Sequence, residues 1–238
     1  MRLIGEIWTE SSLPFPFRKK EIAMKMVYLS VIALLFVSVP LGCATMDTVR
    51  YDIGLSAVER PENAKERYGE QKIGTVQEED TIKYSFEDDL IRIVWLATPE
   101  QLVFDLTNKT NQSIEIIWDK AVYVDEKGNS MKVTHSEVKY TDRNKPQPPT
   151  TVAGGATVSD LVFPAKNVDW IGGPYGGWRI KPLFPTSSMS GTPEDLLAQA
   201  KKYVGKSVQV ILPLEIEKTV NQYIFVFKVN DVVMGKTD

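Results

Sequence analysis

The sequence is poor in the residues that build disulfides and metal sites, because its 238 residues include one cysteine and one histidine. A single cysteine excludes a disulfide within the chain, and it also excludes a zinc site made of clustered cysteines and histidines. The chain carries neither a phosphate-binding glycine loop ending in lysine nor the G-x-S-x-G pattern of many serine hydrolases. The sequence therefore predicts no enzyme activity, no cofactor and no metal.

The sequence also lacks an excess of positive charge. Its formal net charge is −3, and the first 43 residues hold more basic than acidic side chains, so the rest of the chain is the more acidic part. Such a surface does not attract a phosphate backbone, and nucleic-acid binding is not expected. Hydrophobic residues make up 43% of the chain, which is enough for one packed domain of ordinary size.

A charge-free stretch runs from Met26 to Met46, and its centre at Val31–Val39 is nearly all aliphatic or aromatic. A basic segment followed by a short apolar segment and small residues is typical of a secretory signal. An uncleaved membrane anchor and a buried core helix are the alternatives, and an anchor needs about 20 apolar residues to cross a bilayer. The basic residues that precede the stretch are Arg18, Lys19, Lys20 and Lys25.

The apolar stretch ends in Pro40-Leu41-Gly42-Cys43-Ala44, which resembles the bacterial lipobox. In that motif a small residue precedes the cysteine that receives the lipid, and Gly42-Cys43 matches this core. Pro40 stands where the motif usually has leucine, and Leu41 where it usually has a small residue. The resemblance covers only the leader. It implies an exported lipoprotein of the cell envelope, held in the bilayer by a thioether lipid on Cys43. In a Gram-negative cell the expected site is the outer membrane, facing the periplasm.

The chain divides into three predicted regions. Residues 1–42 are expected to form a signal peptide with an upstream extension, whose natural start is Met24. Residues 43–77 are polar and poorly periodic, which favours a flexible tether. Residues 78–238 are expected to form one domain, and the piece from about Ile73 to Asp238 is expected to fold alone.

From about Thr81 onward, short runs of β-branched and aromatic residues alternate with polar residues and turn clusters. This pattern predicts a mostly β fold, either an immunoglobulin-like β-sandwich or a partly open barrel. Trp118 ends an apolar strand, and we expect it in the core with Phe225 and Phe227.

One short α-helix is predicted near 193–204. Thr192 can cap its start, Pro193 suits the first helical position, and Gly205 suits the end. Its apolar residues share one face at helical spacing: Leu196, Leu197, Ala200 and Tyr203.

The most unusual stretch is WIGGPYGGW, from Trp170 to Trp178. Trp170, Tyr175 and Trp178 are candidates for an exposed aromatic platform that stacks on a sugar or receives a partner side chain. The alternative is a glycine-kinked turn whose rings fold back on the core.

Other polar residues carry weaker signals. His135 has no neighbouring metal ligand, so a surface position at the end of a strand is expected for it. Asp119, Asp125 and Glu126 flank a turn without the spacing of a calcium loop, which favours a solvated turn.

These observations predict a non-enzymatic binding or structural module of the envelope. Its expected partners are the bilayer, through the lipid, and an envelope protein or glycan. The alternative is a hydrolase of an envelope polymer that assembles its carboxylates in three dimensions, about 5 to 9.5 Å apart in a cleft.

Overall fold

Strands dominate the structure, a computed structural model that describes residues 48–62, 64–79, 81–187 and 192–235. The predicted signal peptide, the Met24 start and Cys43 lie outside the described residues. Two α-helices accompany the strands in the described residues, α1 (Ala64–Tyr68) and α2 (Pro193–Lys201). The strands are β1 (Val49–Glu59), β2 (Lys72–Glu78), β3 (Thr81–Glu87), β4 (Ile91–Ala97), β5 (Leu102–Asn108), β6 (Ile114–Ile116), β7 (Val122–Val124), β8 (Ser130–Thr134), β9 (Thr150–Val152), β10 (Thr157–Pro164), β11 (Val168–Ile171), β12 (Gly177–Ile180), β13 (Ser207–Ile216) and β14 (Thr219–Met234).

Ten strands of one antiparallel sheet follow the order β1-β14-β13-β7-β8-β10-β5-β4-β3-β2, while β6 also pairs with β13 and β9 pairs with β6. The sheet curls into a nearly closed barrel whose seam lies where β1 comes close to β3 and β4. The prediction of a mostly β fold is confirmed. Of the two architectures considered, the partly open barrel is found and the immunoglobulin-like sandwich is not. The reason is that one continuous sheet, rather than two stacked ones, encloses the core.

The barrel interior is filled by side chains that alternate along the strands. In β5 the buried residues Leu102, Phe104 and Leu106 alternate with half-buried ones, which is the period of two expected for a strand with one face in a core. Trp95 is fully buried, and its ring centroid lies 5.0 Å from that of Phe225. Trp118, Phe225 and Phe227 are all buried, so their predicted place in the core is confirmed.

The predicted tether is wrong from Val49 onward. Residues of β1 pair with β14 along nearly the whole strand, and β2 pairs with β3. Between β1 and α1, Arg60 forms an ion pair of 3.2 Å with the buried Asp88, which also accepts a hydrogen bond of 3.1 Å from the Tyr223 hydroxyl. The described residues from Thr48 onward therefore belong to one compact unit, and the domain does not begin at residue 78.

The helix α2 is built by the signals that its sequence carries. The Thr192 side chain accepts a hydrogen bond from the Asp195 N–H, and the Asp195 carboxylate accepts one from the Thr192 N–H. The helix ends at Lys201, three residues earlier than predicted, and Gly205 follows in a left-handed conformation with φ of 82°. Leu196 and Ala200 are its buried residues. Neither α1 nor α2 is long and apolar enough to cross a membrane, and they are the only α-helices among the described residues.

Candidate binding surface

The segment from Trp170 to Trp178 forms a hairpin of its own. Strands β11 and β12 pair only with each other within the described chain, and Trp170 lies directly opposite Trp178. The turn between them depends on glycine: a Cβ on Gly176 would lie 2.2 Å from the Ile171 carbonyl oxygen, and Gly173 has a φ of 104°. The glycines thus allow the chain to reverse tightly and carry the aromatic residues at its end.

The hairpin exposes two of the three predicted rings. Tyr175 is 94% exposed, Trp170 is 62% exposed, and Ile171 between them is 52% exposed. Such large apolar side chains are seldom left together in water without a partner. The alternative in which all the rings fold back on the core is therefore wrong for Trp170 and Tyr175.

Trp178 has a different role, because it fixes the hairpin to the rest of the protein. Its ring packs edge-to-face against Trp170 at 5.4 Å and against Tyr140 at 6.1 Å. The guanidinium carbon of Arg143 lies 5.1 Å from the centroid of the Trp178 ring, within the range of a cation–π contact. Trp178 is half-buried, so it supports the platform more than it forms its open face.

The charges near the rings are fixed by local contacts. Lys181 and Asp169, at the base of the hairpin, form an ion pair of 2.5 Å. Arg143 donates a hydrogen bond of 2.7 Å to the Tyr140 carbonyl oxygen, and Arg179 donates one of 3.1 Å to that of Trp178. The platform is thus an apolar surface with two guanidinium groups beside it, and planar rings with nearby donors suit both sugars and polar peptide groups.

His135 is not on the surface, and its predicted strand-end exposure is wrong. The residue is 2% exposed, and its ring stacks on Trp118 with centroids 4.1 Å apart and planes 6° apart. Its Nδ1 lies 3.0 Å from Oδ2 of the buried Asp160. The end of β8 is covered because β10 pairs with it, and β10 brings Asp160 beside the imidazole.

The surroundings of the His135–Asp160 pair indicate a structural role for it. Oδ1 of Asp160 accepts hydrogen bonds from the N–H groups of Ser136 and Leu161, at 2.9 and 2.7 Å. Burial alone would raise the pKa of Asp160, but the hydrogen bonds from His135 and from the Ser136 and Leu161 N–H groups outweigh burial and lower it. The His135 side chain is 1% exposed, so its ring is not accessible to a dissolved substrate in the folded protein.

A groove of about 490 Å³ lies at the seam, where β1 and β14 approach β3 and β4. Asp52 of β1 and Asp231 of β14 line it and are direct partners across the two strands. Directly opposed residues have Cβ atoms about 4.5–5.5 Å apart. Tyr84 also lines the groove, and burial, followed by the charge of Asp52 and a hydrogen bond to it, raises the pKa of the tyrosine. Sequence reasoning missed this pair because it placed Asp52 in a tether.

Of the three acidic residues predicted to lie in a solvated turn, Asp125 caps its own turn, whereas Asp119 contacts a distant loop and Glu126 is half-buried. Oδ1 of Asp125 accepts hydrogen bonds from the N–H groups of Lys127 and Asn129, at 3.0 and 2.8 Å. Asp119 accepts one of 2.9 Å from the Gln147 N–H. In the part of the chain that the structure describes, no three histidine, cysteine, aspartate or glutamate side chains come together in a way that would hold a metal ion.

Comparison of the chain with protein-family models, with curated proteins and with solved structures found no match.

Proposed function

We propose that this chain is an exported, lipid-anchored envelope protein that acts as a non-enzymatic binding module. The lipid on Cys43 holds it on a membrane, which in a Gram-negative cell is the outer membrane. The barrel then presents the aromatic hairpin to another envelope component, either a protein or a glycan.

The single observation that carries this proposal is the exposure of Tyr175 and Trp170 on a hairpin that is otherwise well anchored. Binding energy at interfaces is concentrated in a few large side chains, with tryptophan and tyrosine prominent among them. These rings have few rotatable bonds, so ordering them on binding loses little entropy. Trp178 and the tight glycine turn hold the two exposed rings in place before any partner arrives.

The test is to truncate an exposed ring and to measure partner recovery and stability separately. We expect Tyr175→Ala to lower the recovery of partners crosslinked in intact cells, identified by mass spectrometry, and the retention of the protein on envelope glycan. Thermal stability should stay nearly unchanged, because surface substitutions usually shift it by no more than about 0.5 kcal/mol.

The matched control is Val204→Ala, which truncates an exposed hydrophobic residue outside the hairpin. This control should leave partner recovery and stability as they are in the parent protein. Undiminished recovery with Tyr175→Ala, or a clear loss of stability, would remove the hairpin as the binding surface.

A second candidate function has one specific observation in its favour. Asp52 and Asp231 face each other in the seam groove, and a hydrolase of envelope polymers needs such a pair of carboxylates. The test is release of soluble fragments from isolated envelope polymer by the protein and by Asp52→Asn and Asp231→Asn. Asp105→Asn, on the outward side of β5, is the control. If Asp52→Asn and Asp231→Asn both abolish this release and Asp105→Asn retains it, the result would favour the hydrolase over the binding module.

A further inference from the structure

The strand β2 stands at one end of the sheet, and no other strand in the described chain pairs with its outer edge. Its seven residues run in unbroken register with β3, from Lys72 opposite Glu87 to Glu78 opposite Thr81. Most of the strand is exposed, and only Val76 is half-buried. Its outer edge therefore presents a row of backbone N–H and C=O groups that a further strand can pair with.

The other end of the sheet differs. Strand β1 shifts register against β14 at two points, between Asp52 and Ile53 and between Leu55 and Ala57. Bulges of this kind distort an edge and discourage pairing with another strand. Strand β2 has neither a bulge nor a proline, so its backbone stays regular enough to pair along the whole outer edge.

We propose that β2 pairs antiparallel with β2 of a second copy of this chain, about a two-fold axis at Thr75. In that register Lys72 lies opposite the partner's Glu78, and Glu78 lies opposite the partner's Lys72. Ile73 faces the partner's Gln77, and Gly74 faces the partner's Val76. The contact is self-complementary and closes at two copies, as a two-fold interface must.

Charge complementarity is what favours a second copy over an unrelated strand. Lys72 is in register with Glu87 of β3, which is in register with Arg92 of β4. Residues in register share a face of the sheet, so Arg92, Glu87 and Lys72 form a row of alternating charge. The partner's Glu78 continues this row, because its negative charge lies beside the positive charge of Lys72. Pairing in the parallel direction would instead bring Lys72 beside the partner's Lys72, and like charges on adjacent strands are unfavourable.

Apolar exposure on the opposite face agrees with the same register. Ile73 is 43% exposed and Ile82 is 52% exposed. Ile82 is in register with Gln77, and in the proposed dimer the partner's Ile73 lies on the other side of Gln77. The pairing therefore places two exposed isoleucines in one cross-strand row on each side of the axis.

Cysteine crosslinking tests the register in the full-length protein. Thr75→Cys should give a covalent dimer with a short bis-maleimide, because the two positions face each other across the axis. Glu78→Cys should not, because its two copies lie about 20 Å apart along the strands at 3.3 Å per residue. The double variant Lys72→Cys with Glu78→Cys should crosslink again. The parent protein, whose one cysteine is Cys43, gives the background.

Charge reversal tests the contact that selects a second copy. Lys72→Glu or Glu78→Lys places like charges opposite each other at two symmetric positions, and each should weaken dimerisation about tenfold. Combining both substitutions restores opposite charges and should restore the dimer, as measured by analytical ultracentrifugation with circular dichroism as the folding control.

Several outcomes would overturn the proposal. The parent protein could stay monomeric at every concentration tested, or Glu78→Cys could crosslink as readily as Thr75→Cys. The double charge reversal could dimerise no more tightly than either single reversal. Finally, Thr75→Cys could crosslink to another protein instead of its own copy.

Discussion

Deleting β1 is the sharpest test of the fold, because the sequence pattern assigns these residues to a tether and the structure places them in the barrel. We compare the fragment 46–238 with the fragment 73–238, which lacks both β1 and α1. The shorter fragment is the one that sequence analysis expects to fold alone. From the structure we expect the longer one to fold and the shorter one to fail.

The magnitude follows from the side chains that β1 buries. Val49, Ile53, Leu55 and Val58 are each at most 7% exposed. Burying a valine, leucine or isoleucine contributes about 1.5–3 kcal/mol, so the four together contribute about 6–12 kcal/mol. Whole domains are stable by only about 5–15 kcal/mol. The deletion also leaves one edge of β14 without its partner strand, because β14 pairs with β1 from Ile224 to Met234.

Urea unfolding followed by tryptophan fluorescence and near-ultraviolet circular dichroism provides the measurement. The fragment 46–238 should show one cooperative transition and an ordered aromatic signal. The fragment 73–238 should lack the near-ultraviolet signal or unfold at the lowest urea concentrations. If both fragments unfold with the same midpoint, β1 is not part of the cooperative unit and the burial argument fails.

Three further predictions concern single residues. Cys43→Ser should release the protein from membranes or leave an uncleaved precursor in cell fractionation, because the paired acyl chains of the proposed lipid would give firm attachment. A processed form that stays in the membrane would contradict the proposed lipoprotein. The lowered pKa of Asp160 in the folded state stabilises the protein above the ordinary aspartate pKa of 3.8, and this stability is lost as the pH falls through the lower folded value. Asp160→Asn should therefore flatten the decline of stability in that acidic range, measured by urea unfolding at a series of pH values; an unchanged slope would show that other carboxylates cause it. A Cβ on Gly54 would lie 3.0 Å from the Tyr84 hydroxyl, whereas one on Gly74 would lie no closer than 3.4 Å to Ser85, its nearest neighbour across the strands. Gly54→Ala should therefore lower thermal stability by about 1–3 kcal/mol, and Gly74→Ala should be neutral or stabilising. Equal effects of the two substitutions in thermal melts would refute the close approach of β1 to β3.

The elements predicted from sequence are those whose signals are local. Strand β5 is evident because Leu102, Phe104 and Leu106 alternate with polar or smaller residues. Helix α2 is evident because Thr192 and Pro193 mark its start within two adjacent positions. In both elements the residues that define the structure are neighbours in the sequence, so their pattern is sufficient.

Strand β1 and the barrel could not be predicted in this way. Val49 pairs with Met234, at the far end of the domain, and no local pattern reports such a partner. Two register shifts also break the alternation of β1, so its buried residues do not follow a period of two. Whether one sheet closes on itself or two sheets stack depends on these distant pairings.

The candidate sites divide along the same line. Tyr175 and Trp170 are found from sequence because the glycines and the rings of the hairpin are adjacent in the chain. The environment of His135 is missed because Asp160, which binds Nδ1, lies 25 residues away. Similarly, Asp52 meets Asp231 only through the pairing of β1 with β14. Residue type identified the hairpin rings and His135 as candidates, but their burial and partners were set by the fold.

The two proposed surfaces belong to different parts of the sheet, so their tests are independent. The hairpin follows β10, whereas dimerisation uses β2, and the sheet order places three strands between β10 and β2. At about 4.8 Å per strand, the two strands are about 19 Å apart along the sheet. Tyr175→Ala should therefore leave the dimer intact, and Lys72→Glu should leave each hairpin competent. A dimer would nevertheless carry two hairpins and two lipid anchors, and linked sites raise overall binding without any new contact. Lys72→Glu should consequently weaken retention on a multivalent glycan while leaving binding to a single, soluble partner unchanged.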